Sequence, residues 1–139
     1  MANLTDQLTL EFNSNLKYTE FCAVVFAYLE KYLGIDDDKA FKIEIALREV
    51  INNAILHGNK QEHDRKVFVK FKWNKGYLYI SVKDENPEKV DFDKIDKKLK
   101  TQDILSFNGR GILIMKNYMD KVVFNSTGSG TEIIMEKKI

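Results

Sequence analysis

Cysteine is nearly missing: the 139-residue chain has one, Cys22, so no intrachain disulfide can staple it. Set among Phe21, Ala23 and Val24, its thiol reads as a small core group in a protein of a reducing compartment. Zinc chemistry is equally poorly supplied. The two histidines, His57 and His63, stand six residues apart, off a common helical face, and with one cysteine they make no zinc constellation. No apolar run approaches the roughly 18 residues of a membrane span, and Met1-Ala-Asn-Leu-Thr-Asp6 has neither the basic nor the apolar region of a signal peptide. A cytoplasmic protein with no membrane partner is expected. Charge of one sign is lacking too. Charged residues make up 31% of the chain but nearly cancel to +1, which argues against direct nucleic-acid binding and against an acidic disordered tail. Partners have to be sought at local sites.

Against these absences stands the stretch Glu49-Val-Ile-Asn52-Asn53-Ala-Ile-Leu-His57-Gly58. At about 100° per residue, Glu49, Asn53 and His57 step round a helix by only about 40° each and form one polar ridge. Ile43, Ala46, Leu47, Val50, Ile51 and Ala54 have the spacing of a buried stripe, so the ridge along its flank is half-buried. An acid and an amide at the edge of a core cost free energy unless they hydrogen-bond or meet a ligand. The ridge is therefore a candidate site, its plainer alternative being a solvated face that happens to carry Glu and Asn.

Along the chain, Leu8 to Phe12 alternates as a strand, and Phe21, Val24, Val25, Tyr28, Leu29, Tyr32 and Leu33 recur at helical spacing up to Gly34. Asp36-Asp37-Asp38 suits the start of the next helix, which carries the ridge and ends near Gly58-Asn59, with 59–65 a polar connector. Val67, Val69, Phe71 and Trp73, then Leu78, Ile80 and Val82 beyond a turn at Asn74-Lys75-Gly76, alternate as a hairpin. The only proline, Pro87, lies in a charged stretch from Glu85 to Asn108 that reads as a long loop with at most one helical turn. Gly109-Arg110-Gly111 then opens a helix through about Met119, and strands over roughly Lys121 to Asn125 and Thr131 to Glu136 close the chain around Gly128-Ser129-Gly130. One domain over 1–139 is expected, without repeats. Short strand connections suit antiparallel pairing and three helices need a face to cover, so the fold class is α+β: a two-layer sandwich whose mostly antiparallel sheet is covered on one face by helices.

Three further sites carry chemistry. Continuing the alternation of Leu78, Ile80 and Val82 lands on Asp84, a carboxylate at buried parity that needs either a ligand amino group or the backbone N–H groups of a turn. Thr131 shares parity with Ile133 and Met135, as a satisfied core threonine also would. Gly109 and Gly111 at a helix entry can bring backbone N–H groups to phosphate oxygens, or can simply be a flexible entry. No Walker P-loop is present, and Ile114 stands where G-x-G-x-x-G needs glycine.

Taken in order, Glu49-x-x-x-Asn53-Ala-x-x-His57, Asp84 after a strand, Gly109-x-Gly111 opening a helix and Gly130-Thr131 in a closing strand resemble the GHKL ATPase family of gyrase, histidine kinases and related folds. Within it the chain most resembles the bacterial anti-sigma-factor serine/threonine kinases, including the stretch from Gly109 to Val122. The resemblance implies a Bergerat-type fold that binds ATP and Mg²⁺, with Asn53 supplying an oxygen to the metal and Glu49 acting as general base. It implies that Asp84 accepts from the adenine amino group beside Thr131, that His57, Asn86, Gly109, Arg110 and Gly111 complete the nucleotide contacts, and that 85–108 is the ATP lid. It further implies a homodimer whose partners are a sigma factor and the phosphorylated antagonist of the anti-sigma factor. One departure is plain. Where the family has Asp-x-Gly-x-Gly, this chain has Asp84-Glu85-Asn86-Pro87-Glu88, so a left-handed backbone would strain Glu88 and its charge would face a nucleotide. That departure motivates a second reading, a binding module of the same fold without turnover. A histidine-kinase catalytic fragment ranks third, because no dimerisation helix with a phospho-acceptor histidine precedes the first strand.

Overall fold

The structure is a computed structural model that describes residues 5–88, 91, 93–94, 97 and 107–139. Strands β1 (Asp6–Asn13), β2 (Lys66–Asn74), β3 (Tyr77–Lys83), β4 (Lys121–Thr127) and β5 (Gly130–Lys138) form one sheet in the order β1-β2-β3-β5-β4, each neighbour antiparallel. Register follows the apolar pattern. Phe71 stands opposite Ile80 and Ile80 opposite Met135, while Val69, Val82 and Ile133 form the next row, and all six are buried. A slip of one residue would carry Lys70 and Lys72 into that core. The β2–β3 hairpin turns at Gly76, whose φ of 107° suits glycine.

Helices α1 (Lys17–Leu33), α2 (Asp37–Asn53) and α3 (Phe107–Tyr118) cover one face. The Asp36 carboxylate accepts the Lys39 N–H at 2.9 Å and so caps α2. Ile43, Ala46, Leu47, Val50 and Ile51 of α2 are fully buried, and α3 packs on α2 with Ile112, Met115 and Met119 inward. The two-layer α+β sandwich expected from the sequence is thus the fold observed.

The structure corrects three local expectations. The apolar residues of α1 that its periodicity selects are split: Leu29 is buried with Thr19, Cys22, Ala23 and Phe26, whereas Phe21, Val24, Tyr28 and Tyr32 lie exposed. Helical spacing identifies a helix but not which of two apolar sides faces the sheet, where Phe26 stacks on Phe71 at 6.4 Å between centroids. Burial pushes the Cys22 thiol up to about 12. Secondly, β4 and β5 run on to a two-residue turn at Gly128-Ser129, and α3 starts at Phe107, ahead of Gly109. The third correction touches the ridge. After Asn53 the helix widens into a π-helical turn, Ala54–Gly58, in which the Asn59 N–H reaches the Ala54 carbonyl at 2.7 Å. Lys60 and Gln61, with φ of 53° and 59°, then turn the chain back in left-handed backbone.

Candidate functional site

The pleat of β3 delivers Asp84, as its parity requires, to the buried side at the strand's end. Its Oδ1 accepts two backbone N–H groups, from Asn86 and Thr131, each at 3.0 Å, and its own N–H donates to the Thr131 carbonyl at 3.0 Å. Beside it the hydroxyls of Thr131 and Ser126 lie 3.1 Å apart. Two glycines let the chain close round this carboxylate. A methyl group on Gly58 would overlap Oδ2 and stand 2.7 Å from Cγ, and one on Gly130, at φ 147°, would overlap the Asp84 carbonyl oxygen. Burial raises the Asp84 carboxyl above its ordinary range, against the opposing pull of the Thr131 and Asn86 amides.

The non-glycine turn after Asp84 is not strained. Among the described residues the non-glycine positions with positive φ are Lys60 and Gln61, so Asn86 and Glu88 keep ordinary backbone angles. The reason is local: Asp84 accepts the Asn86 N–H, and Asn86 in turn accepts the Glu88 N–H at 3.0 Å, two side-chain turns that need no glycine. Glu88 directs its carboxylate to Lys60 Nζ at 3.4 Å.

Asn59, read from the sequence as part of a polar connector, is fully buried and ties three segments together. Its Nδ2 donates to Ser14 Oγ at 2.7 Å and to the Lys66 carbonyl at 2.9 Å, while its Oδ1 accepts the Glu85 N–H at 2.9 Å. The one signal for it was a polar residue immediately after the helix-ending Gly58.

At the other end of the same helical stretch lies Glu49, half-buried on α2. Gly109 and Gly111 of α3 are buried and Arg110 is exposed; a methyl group on Gly111 would stand 2.9 Å from Glu49 Oε2, so the helix entry and the carboxylate are in close approach. Of the adjacent amides, Asn52 is engaged in the fold through Thr19 Oγ1 at 2.7 Å, and Asn53 lies half-buried one turn from Glu49. His57 is half-buried within the π turn, and that burial lowers its pKa. The residues singled out from the sequence therefore form two groups, Glu49 with Gly111 and Asp84 with Asn86 and Thr131. They are joined by the helical stretch from Glu49 to Gly58, whose last residue abuts Asp84 and which carries Asn53 and His57.

Most of 85–108, including 98–106, lies outside the described residues. Among those described, no group of three or more His, Cys, Asp or Glu could cage a metal, and no helix is long and apolar enough to cross a membrane. An amide oxygen at Asn53 with a carboxylate one turn earlier fits a Mg²⁺ ion that keeps most of its ligands as water and phosphate.

A family model described as the histidine kinase-like ATPase domain matches residues 12–137. Anti-sigma F factors of Geobacillus thermodenitrificans (strain NG80-2) and Bacillus subtilis (strain 168) are 28% and 27% identical over 138 residues, covering 98% of this chain and 94% of each relative. Among solved structures, the RsbU and RsbW domains of a Mycobacterium tuberculosis protein superpose with a TM-score of 0.69 at 13% identity, over 96% of this chain and 32% of that one. A chain of the SiaB-SiaC complex of Pseudomonas aeruginosa does so with a TM-score of 0.66 at 14% identity, over 95% and 89%.

Proposed function

The chain belongs to the histidine kinase-like ATPase domain family, and from that premise we propose that it is an ATP-dependent serine/threonine protein kinase of the anti-sigma-factor type. In this reading it binds a sigma factor and phosphorylates the antagonist that would displace it. The observation that carries the proposal is the pairing of a buried, prearranged carboxylate, Asp84, with a second carboxylate, Glu49, facing a glycine helix entry at the far end of one helical stretch.

Asp84 accepts from the adenine amino group, which favours adenine over guanine, whose carbonyl would meet a carboxylate. Thr131, Asn86 and His57 border the base. Gly109, Arg110 and Gly111, the third to fifth residues of α3, face the phosphates, where the positive end of the helix and a cation stabilise negative charge. Asn53 supplies an oxygen to Mg²⁺, which when bound neutralises charge on the phosphate oxygens. Glu49 takes the proton of the attacking serine or threonine hydroxyl as its oxygen bonds to the γ-phosphorus and the bond to the β-phosphate oxygen breaks. Residues 85–108 act as the lid of a single domain spanning 1–139, working in the cytoplasm.

We place a homodimer in the same proposal. Phe21, Val24, Tyr28 and Tyr32, 63%, 68%, 79% and 70% exposed, make an apolar stripe along α1, and stripes of this kind on soluble proteins mark interaction surfaces. Sedimentation of the wild type against Tyr28→Glu checks it, with a shift of the variant to monomer expected. For the activity, the test is transfer of the γ-phosphate of ATP to a serine or threonine of a candidate antagonist, read by mass spectrometry. The family's two glycines are Asn86 and Glu88 here, unstrained but without glycine's freedom to move, and this departure motivates a second reading, a sequestering module. ATP binding without transfer to the cognate antagonist would select it.

A further inference from the structure

We propose that Asn59 is a positioning residue for base recognition: its side-chain amide holds the peptide after Asp84 and so aims the Asp84 carboxylate before any ligand arrives. This rests on the nucleotide reading of Asp84 and adds a residue that reading does not contain.

The peptide units on both sides of Asp84 are held from opposite directions. On one side, the Asp84 N–H is bonded to the Thr131 carbonyl of β5; on the other, the Glu85 N–H is bonded to Asn59 Oδ1. With both peptide planes fixed, the Cα–Cβ direction of Asp84 is fixed as well. In a glycine turn the chain's own left-handed backbone would do this. Here that backbone is absent from residues 86 and 88, and a buried amide replaces it.

Only asparagine answers the demands of this position. Ser14 Oγ already donates to the Arg65 carbonyl at 2.8 Å, so it offers Asn59 a lone pair, as the Lys66 carbonyl does; both need a donor. Glu85 needs an acceptor. An aspartate would set oxygen against two acceptors, and an alanine would leave a hydroxyl, a carbonyl and an N–H buried with lost partners. Asn59 also bridges the end of β1 to the start of β2, where Glu85 Oε1 accepts the Lys66 N–H, so the turn is anchored to the sheet.

The test compares ATP with inosine triphosphate, whose base carries a carbonyl in place of the amino group. Isothermal titration of wild type and Asn59→Ala should show ATP affinity falling about tenfold and inosine triphosphate affinity changing less than about twofold, so that the preference for adenine collapses. A general loss of folding would lower both together. In the ligand-free chain, hydrogen exchange at the Glu85 amide should quicken by about tenfold or more in the variant while the β3 amides stay protected. Should Asn59→Ala fail to fold, Ser14→Ala, which removes one acceptor of the amide, reads out the same ratio in milder form. A wild type that prefers ATP and an Asn59 variant that keeps the preference would overturn the inference while leaving the nucleotide reading intact. A wild type that binds neither nucleotide would overturn both.

Discussion

Around Asp84 the chain supplies its own partners: two amide N–H groups on one carboxylate oxygen, Gly58 and Gly130 packed against the group, and Asn59 behind the turn. Around Glu49, Gly111 makes a close approach, and Glu49 and Asn53 are half-buried rather than enclosed. In the proposed reading, the difference separates two jobs. A base is recognised by a fixed pattern of donors and acceptors, which favours a preorganised end, whereas phosphates, metal and a protein hydroxyl must enter and leave. In the proposed reading, the more fully bonded end is the one that reads the base, and the end that reacts is completed by ligand and lid.

The strongest way to break this contrast is to loosen the rigid end. Gly130→Ala forces a methyl group into the Asp84 carbonyl at a backbone angle that side chains avoid, and should lower ATP affinity by about a hundredfold or more and stability by about 2 kcal/mol. Calorimetry beside a thermal melt measures both, and unimpaired binding would show that the Asp84 end is not preformed. Glu49→Gln probes the opposite end. Phosphoryl transfer should fall by about a hundredfold with ATP affinity nearly unchanged, and equal transfer rates would remove Glu49 as the base.

A smaller effect is expected from Asp84→Asn, about tenfold in ATP affinity, since the amide lacks the acceptor charge. Its pH dependence sharpens the comparison. Burial raises the folded-state pKa of Asp84, so ATP binding by the wild type should weaken as pH falls through a value above the ordinary 3.8. Stability moves the other way. The buried carboxylate is destabilising above its folded pKa, and that penalty is relieved as pH falls through the folded pKa toward 3.8. Both trends should flatten in the variant. His57 gives a weaker and opposite signature: its folded pKa lies below the ordinary 6.5, so the stability it contributes is present above 6.5 and lost as pH falls toward the lowered value. Melting curves of wild type and His57→Gln across that window measure the difference. Least of all should Glu88→Gly matter. Its carboxylate is exposed and paired with exposed Lys60, so ATP affinity should change less than about threefold, and a large gain would mean that the charge faces the nucleotide after all.

Where most of the candidate residues lie was legible because strand parity and helical spacing are local. Asp84 and Thr131 fall on the buried side by counting in twos, and Glu49 and Asn53 on one ridge by counting in fours. His57 follows less simply, since a π turn intervenes. Asn59 was not legible. Its partners are Ser14, Lys66 and Glu85, 45, 7 and 26 residues away, and nothing in the pattern around a polar connector reports a hydrogen bond to such distant segments. The supposed strain at Glu88 failed for a related reason: it assumed a glycine backbone where two side-chain turns had already removed the need for one.

By itself the amino-acid sequence determined the order of strands and helices, the face each strand buries and the residue types available for chemistry, because these depend on periods of two and of 3.6 along the chain. Tertiary structure alone decided which side of α1 is buried, where α2 widens, and how Asp84 is aimed. Each of those is settled by groups far apart in sequence competing for the same space and the same hydrogen bonds, and that competition exists only once the sheet and helices have packed.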